Sequence, residues 1–257
     1  MSGEMLLGYP VSTESAQSLG RRVADWVVHG ERRRWFACLN PHSVEVAERD
    51  ADFKTALLTA DFLVPDGVGV VFASRQLGGS IRTRVTGHDV FASVMSELAR
   101  TGGRVFFLGS SAGVLAKIGE RFARDFPSLT LAGTYSPPYK PAFSDADNTA
   151  MIDAINAARP DVLWVGMTAP KQEKWLAANV GQLDVAFAGA IGAVFDFYAG
   201  TVKRSPPVFQ RLGLEWLPRL LQEPRRLWYR NFVSNPRFVL RVLAARWRGE
   251  RALPIPD

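Results

Sequence analysis

The stretch DFLVPDGVGVV, residues 61–71, decides the fold. Its apolar run from Phe62 to Val64 stops at Pro65, which predicts a buried strand followed at once by a glycine-containing helix. Asp66 then stands at the carboxyl end of that strand, the edge at which open α/β sheets bind ligands. The glycines at 67 and 69 leave room for a ligand to approach the backbone. We interpret Asp66 both as a helix cap and as a catalytic carboxylate, two roles that are compatible.

Outward from this stretch, short apolar runs alternate with amphipathic segments. Strands are predicted at 4–11, 35–39, 105–108, 129–135, 161–165 and 185–188, with helical segments between them. The helix predicted at 89–100 takes Asp89 as its N-cap. This alternation is typical of an α/β fold with a mostly parallel, Rossmann-like sheet and flanking helices.

Charge divides the chain into two parts. The 257 residues are 47% hydrophobic and 22% charged, which suits one substantial core with an appendage. Residues 203–251 carry 12 Lys and Arg against three Glu, whereas residues 1–202 carry 19 against 21 acidic residues. We therefore predict an α/β domain at 1–204 and a basic helical C-terminal appendage at 205–257 that meets an anionic partner.

Aromatic residues interleave with the arginines of the appendage, in helices predicted at about 207–222 and 225–248. Arginine with Trp and Tyr on helices suits either a membrane interface or an anionic ligand. A basic helical surface that simply docks on the domain through its aromatic residues explains the same pattern. The aromatic residues concerned are Trp216, Trp228, Tyr229, Phe232, Phe238 and Trp247.

Several kinds of site and location are not expected. The N-terminus has no basic segment followed by an apolar one, and no apolar run approaches the ~18 residues of a membrane span, so we expect a cytoplasmic protein. The one cysteine, Cys38, has no intramolecular disulfide partner, and the three histidines are scattered, so neither metal nor cofactor is expected. Two Asp-x-Asp triplets, 50–52 and 145–147, lie at predicted helix boundaries and are interpreted as caps.

Two further features carry open alternatives. The segment Leu108–Gly113 is a strand end, a small-residue loop and a helix start, which either presents backbone N–H groups to a phosphate or forms a tight turn without a ligand. Asp196 lies between Phe195 and Phe197, and a buried acid there needs either a substrate hydroxyl or a neighbouring arginine as its partner.

The order of the motifs resembles the WecG/TagA/CpsF family of glycosyltransferases from about residue 5 to about residue 240. The motifs are Asn40-Pro41, Pro65-Asp66-Gly67-Val68-Gly69, Arg84 to Asp89, Leu108-Gly109, Gly166 to Pro170 with Lys171 to Trp175, Gly192 with Phe195-Asp196-Phe197, Ala199-Gly200, Lys203-Arg204, Glu215-Trp216 and Glu223-Pro224-Arg225-Arg226.

This resemblance implies an inverting transfer of a sugar from a UDP-sugar to a polyprenyl-diphosphate-linked saccharide, in exopolysaccharide or other cell-surface polymer biosynthesis. The enzyme would be peripheral on the inner face of the plasma membrane, held on its anionic surface by the appendage. Asp66 is the catalytic residue, and Cys38 stands where family members of the TagA type carry a threonine. The resemblance implies substrate-binding roles for Asn40, Arg84, Gln172, Asp196, Arg219, Arg225 and Arg226, and we add Gly109, Ser110, Lys171 and Gly192 as predicted substrate-binding positions.

The residues support this chemistry without the family name. A single displacement needs one base for the acceptor hydroxyl, here Asp66, and cations such as Arg84 for the departing diphosphate. With arginines in that role, a divalent metal is unnecessary. The alternative is a regulatory protein that binds a nucleotide or nucleic acid without turnover, although the slightly acidic body argues against a nucleic-acid groove. The donor sugar, the acceptor linkage and any homo-oligomer are left open.

Overall fold

The computed structural model describes residues 2–202 and 228–255, where nine strands form one sheet between two layers of helices. The strands are β1 Gly3–Leu6, β2 Tyr9–Ser12, β3 Arg34–Leu39, β4 Phe62–Pro65, β5 Arg104–Gly109, β6 Thr130–Tyr135, β7 Val162–Gly166, β8 Phe187–Ala190 and β9 Leu253–Ile255. The helices are α1 Ala16–His29, α2 Pro41–Ala47, α3 Ala51–Thr59, α4 Val68–Gln76, α5 Gly87–Thr101, α6 Ala112–Asp125, α7 Asp145–Ala158, α8 Lys171–Asn179, α9 Val194–Tyr198 and α10 Asn235–Trp247. A 3₁₀ turn at Val180–Gln182 and a π-helix at Arg230–Ser234 complete the described elements.

The sheet runs in the order β6-β5-β7-β8-β3-β4-β2-β1-β9. The seven strands from β6 to β2 are parallel, so their carboxyl ends share one edge, and β1 and β9 extend the other side of the sheet in antiparallel pairing. The predicted α/β class with a mostly parallel sheet is confirmed.

The prediction of a single strand at 4–11 is wrong. Leu7 and Gly8 adopt positive φ values of 51° and 84°, and the chain folds back so that β2 pairs antiparallel with β1. Glycine reaches this backbone region at little cost, so Gly8 was the local signal for a turn. The hairpin matters for the site because it leaves β2 parallel to β4.

Side-chain caps set most helix starts. Asp50 accepts from the backbone N–H of Phe53 at the start of α3, as predicted for the first Asp-x-Asp triplet. The prediction that Asp89 is an N-cap is wrong: Thr86 holds that position, and the Asp89 carboxylate accepts from the Thr86 N–H at 2.9 Å in a capping box. Likewise Asp147 lies in the capping box of α7, whose N-cap is Ser144.

Each face of the sheet has its own hydrophobic core. Phe36, Trp164 and Phe187 point to the face covered by α1, α5, α6 and α9, where their rings pack edge-on or stacked. The opposite face is covered by α2, α3, α4, α7, α8 and α10. The result is a three-layer α/β/α arrangement that covers both faces of the parallel strands.

The C-terminal residues that the structure describes pack on the α/β body. Phe238, Val242 and Ala245 on α10 are fully buried, with α10 lying against α2 and α4. After α10, β9 adds to the sheet beside β1. The helix predicted at 207–222 falls outside the described residues, and the predicted boundary at 204 stays a prediction. No helix in the described ranges is both long and apolar enough to cross a membrane.

Candidate active site

Four neighbouring parallel strands, β7, β8, β3 and β4, end beside one another and define the candidate site. Leu39 at the end of β3 is in register with Pro65 at the end of β4, and the Asp66 N–H donates to the Leu39 carbonyl at 2.8 Å. Asn40 and Asp66 are therefore held side by side at the carboxyl edge, where open α/β sheets bind ligands.

Asn40 is the N-cap of α2. Its Oδ1 accepts from the Ser43 N–H at 3.0 Å, and its own N–H donates to Ser43 Oγ at 2.7 Å. These two hydrogen bonds form a capping box, in which the side-chain amide of Asn40 uses its oxygen, and they fix the chain at the end of β3. Pro41 at the first helical position suits this start, because its missing N–H would have had no partner in the helix.

Asp66 and Arg84 are each partly exposed, and both are engaged in interactions. The Val85 N–H donates to the Pro65 carbonyl at 2.9 Å, so Arg84 lies next to the strand end that carries Asp66. The structure thus places the predicted base and the predicted cation on neighbouring backbone segments.

The two glycines after Asp66 have different roles. Gly67 has a φ of 100°, a conformation that L side chains rarely adopt, and it turns the chain from β4 into α4. Gly67 is also the N-cap of α4, and no side chain caps this helix, so our interpretation of Asp66 as a helix cap is wrong. At Gly69, a Cβ would overlap the ring of Pro41, so this glycine allows α2 and α4 to pack closely. Our interpretation that Gly69 leaves room for a ligand is wrong, because Pro41 occupies that space.

Cys38 is surrounded by acidic groups. Burial raises the pKa of its thiol well above the usual value, and the nearby charges of Asp66, Glu173 and Asp89 raise it further. The thiol is therefore neutral at pH 7 and is not an activated nucleophile. Asp66 follows β4, Glu173 lies on α8 and Asp89 lies on α5, so these three elements converge near Cys38.

Gln172 and Glu173 are buried at the start of α8, with 5% and 3% of their surface exposed. Gln172 Oε1 accepts from the Met167 N–H at 3.2 Å, and its Nε2 donates to Glu173 Oε1 at 2.9 Å. Gly192, with a φ of 49°, lies against this amide: a Cβ there would be 3.5 Å from Gln172 Nε2. Gln172 and Gly192, both predicted as site residues, are thus brought together.

Burial raises the pKa of Glu173 to about 7, against the lowering effect of the Gln172 hydrogen bond. The sequence correctly places Glu173 in the first turn of a helix but did not indicate its burial. A signal was available: residues 172, 175, 176 and 179 follow helical spacing, and together with residue 173 they form the buried face of α8.

Gly109, Ser110 and Lys171 lie at the neighbouring ends of β5 and β7. Gly109 has a φ of 121°, and a Cβ there would come within 2.5 Å of the Gly166 carbonyl oxygen. The Ser110 N–H donates to that same carbonyl at 3.0 Å. The Ser110 N–H therefore bonds within the sheet and is not available to a phosphate.

The Lys171 ammonium donates to the Lys140 carbonyl and lies 3.6 Å from the centre of the Phe143 ring. Burial, and then the Lys140 charge, lower the pKa of Lys171. Asp196, at the start of α9, is half-buried, and the described residues offer its carboxylate neither a hydrogen bond nor an ion pair. Arg219, Arg225 and Arg226 lie outside the described residues.

The two Asp-x-Asp triplets form ion pairs with lysines. Lys174 Nζ lies 3.0 Å from both carboxylate oxygens of Asp50, and Lys140 pairs with Asp147. Within residues 2–202 and 228–255, no group of three or more His, Cys, Asp or Glu side chains could hold a metal ion.

Comparison with known proteins gives a consistent result. The profile of the Glycosyl transferase WecG/TagA/CpsF family matches residues 4–252. A relative from Bacillus spizizenii, named N-acetylglucosaminyldiphosphoundecaprenol N-acetyl-beta-D-mannosaminyltransferase, is 36% identical over 79% of this chain and 76% of its own length. Relatives of the same name from Bacillus subtilis and Staphylococcus aureus are 30% and 25% identical, over 85% and 83% of this chain and 82% and 81% of their own.

Proposed function

Because the chain belongs to the WecG/TagA/CpsF family of glycosyltransferases, we propose that it transfers a sugar from a UDP-sugar to a polyprenyl-diphosphate-linked saccharide. The names of the relatives describe an N-acetylmannosaminyl group moved to a lipid-diphosphate-linked N-acetylglucosamine. We therefore propose a UDP-linked N-acetylhexosamine as donor and a lipid-linked amino sugar as acceptor. The product would enter a cell-surface polymer such as an exopolysaccharide.

The observation that carries the proposal is the placement of Asp66 beside Asn40 at the shared edge of β3 and β4, with Arg84 next to them. A glycosyl transfer by single displacement needs one base and a group that holds the departing diphosphate. Asp66 keeps part of its surface accessible, as a base that must reach an acceptor requires.

In the proposed reaction, the Asp66 carboxylate takes the proton of the acceptor hydroxyl as its oxygen attacks the anomeric carbon. The bond from that carbon to the diphosphate oxygen breaks, and UDP leaves with the electron pair. The configuration at the anomeric carbon inverts because attack comes from the face opposite the leaving group. Arg84, with Arg219, Arg225 and Arg226 of the appendage, offsets the negative charge of UDP without a metal ion.

Association with an anionic membrane is the remaining part of the proposal. The described C-terminal residues expose Trp228, Phe232, Leu240, Leu243 and Trp247 among arginines. Aromatic and leucine side chains with arginines suit an interfacial surface, and a lipid-linked acceptor would be found there.

The test is a panel of UDP-sugars assayed with the purified full chain and a synthetic lipid-diphosphate N-acetylglucosamine acceptor. We expect release of UDP with a UDP-N-acetylhexosamine, dependent on the acceptor. Acceptor-dependent transfer from a different nucleotide-sugar, with none from any UDP-sugar, would contradict the proposed donor.

A further inference from the structure

The proposed reaction makes no use of Glu173, a carboxyl group that is only 3% exposed. Its Oε1 accepts from Gln172 Nε2 at 2.9 Å. Its other oxygen, Oε2, is buried and has no hydrogen-bond partner among the described residues. An ionised carboxylate in this position would bury a charge with half of its hydrogen-bonding capacity unused, which is costly.

The cations nearest in sequence are occupied elsewhere. Lys174 pairs with Asp50 and Asp52 of α3, and Lys171 donates to the Lys140 carbonyl. The groups that share the Cys38 surroundings with Glu173 are the carboxylates of Asp66 and Asp89. Within the described ranges, no lysine or arginine pairs with Glu173, and burial is the main cause of its raised pKa. This environment favours the neutral acid.

The Gln172 amide is fixed from both ends. Its oxygen accepts from the Met167 N–H, and one of its Nε2 hydrogens points to Glu173. This arrangement rules out the flipped amide, in which Nε2 would face the Met167 N–H as a second donor. The other Nε2 hydrogen remains, beside the space that Gly192 leaves open.

We propose that Glu173 is a positioning residue that fixes the Gln172 amide for contact with the nucleotide-sugar, and that its neutral acid form does so without placing a negative charge beside the diphosphate. This inference rests on the proposed function. Glu173 would then have two effects: it orients the Gln172 amide, and its protonation sets the charge beside that amide. Ionisation of Glu173 would add a negative charge near the diphosphate of the donor, and so weaken donor binding.

The first experiment follows the Gln172 side-chain amide by NMR in the labelled full chain, from pH 5 to pH 9. We expect its resonances to titrate as Glu173 ionises, with a midpoint about 7 because burial raises the Glu173 pKa to that value. In Glu173→Gln, which keeps the size and the acceptor oxygen, the titration should vanish. The matched control is Glu120→Gln, an exposed glutamate on α6, which should leave the titration unchanged.

The second experiment measures the dissociation constant of UDP-N-acetylmannosamine by calorimetry. Between pH 6 and pH 8.5 we expect the wild-type value to rise about fivefold, since a charge at several ångströms is partly screened. Glu173→Gln should bind with nearly constant affinity over this range. Glu173→Leu, which leaves Gln172 without its acceptor, should bind about tenfold more weakly at pH 6.

Each of the two experiments tests a different part of the proposal and can contradict it independently. A Gln172 titration that persists in Glu173→Gln, or that is absent from the wild type, would contradict the protonation assigned to Glu173. This result does not depend on the identity of the substrate. Unchanged affinity in Glu173→Leu overturns the positioning role. If the wild type does not bind any UDP-sugar, the proposed function is wrong, and the NMR titration still decides the state of Glu173.

Discussion

His42 Nδ1 lies 2.9 Å from Ser234 Oγ, and this contact ties α2 to the segment that precedes α10. Burial, and then the charge of Arg230, lower the pKa of His42, so the imidazole is neutral at pH 7 and suited to a hydrogen bond with a hydroxyl. Arg241 strengthens the same junction through Glu45 and Glu48 at 3.3 and 3.2 Å. Because Asn40 is the N-cap of α2, the described C-terminal residues are anchored close to the candidate site.

This anchoring changes how the membrane proposal is tested. Truncation before α10 would expose the core that Phe238 and Val242 fill, and we expect it to lower the free energy of unfolding by several kcal/mol. Thermal unfolding of a chain ending at residue 227 measures this loss. An unchanged melting temperature would contradict the packing described for α10.

Surface substitutions separate membrane binding from stability. Replacing Trp247 and Leu240 by serine should weaken binding to phosphatidylglycerol vesicles about tenfold, because each side chain is largely exposed and available to the interface. The melting temperature should stay the same. Tyr139→Ser, at a fully exposed position on the body, is the control and should bind as the wild type does. Equal vesicle sedimentation of all three proteins would argue against this surface.

A pair of glycine substitutions tests the close approach of α2 and α4. Gly69→Ala should destabilise the protein by about 1–3 kcal/mol, because its methyl group would overlap Pro41. Gly113→Ala, in the first turn of α6 with open space around it, should be neutral or stabilising by up to about 1 kcal/mol. Urea denaturation measures both. A neutral Gly69→Ala would mean that the helices do not pack as closely as described.

Stability should depend on pH through Glu173. Burial raises its pKa from 4.5 to about 7, so the folded protein holds a proton that the unfolded chain releases between those values. The contribution of the neutral acid to the free energy of unfolding is complete below about pH 4.5 and is lost as the pH rises through 7. The total loss is on the order of 3 kcal/mol. Glu173→Gln should therefore gain stability relative to the wild type between pH 5 and pH 9.

Thermal unfolding of the two proteins across this range provides the comparison, with Glu120→Gln as the exposed control. A constant difference between wild type and Glu173→Gln at all pH values would show that Glu173 does not titrate in this range.

Metal removal tests the role given to the arginines. Activity should persist in excess EDTA, because guanidinium groups can neutralise the departing diphosphate. The carboxylates of Asp50 and Asp147 are paired with lysines and cap helices. Complete loss of UDP release in EDTA, restored by Mg²⁺ or Mn²⁺, would contradict the metal-independent reaction.

Local patterns were enough to predict most of the fold. The stop at Pro65 and the apolar run before it correctly indicated a buried strand that delivers Asp66 to a helix start. The hairpin at Gly8 was missed because a four-residue strand on each side reads as one apolar run. β9 was missed because three residues carry almost no periodicity, and its pairing with β1 depends on the tertiary structure.

The site was harder to predict than the fold. Asn40 and Asp66 could be placed together because adjacent parallel strands end at one edge. Two features could not be predicted from the sequence: the burial of Glu173, and the filling of the space at Gly69 by Pro41. Both arise from contacts between elements distant in sequence. Sequence spacing along a helix indicates a buried face, but it does not indicate whether that face meets apolar core or a binding cleft.

The most direct test of the central claim is the turnover of Asp66→Asn with UDP-N-acetylmannosamine and a lipid-diphosphate N-acetylglucosamine acceptor. The amide keeps the size of the side chain but cannot accept the hydroxyl proton, so kcat should fall about 10²–10⁴-fold while donor affinity and melting temperature stay near wild type. Retention of more than about a third of the wild-type kcat would contradict the account, because the base for the acceptor hydroxyl would then be another group.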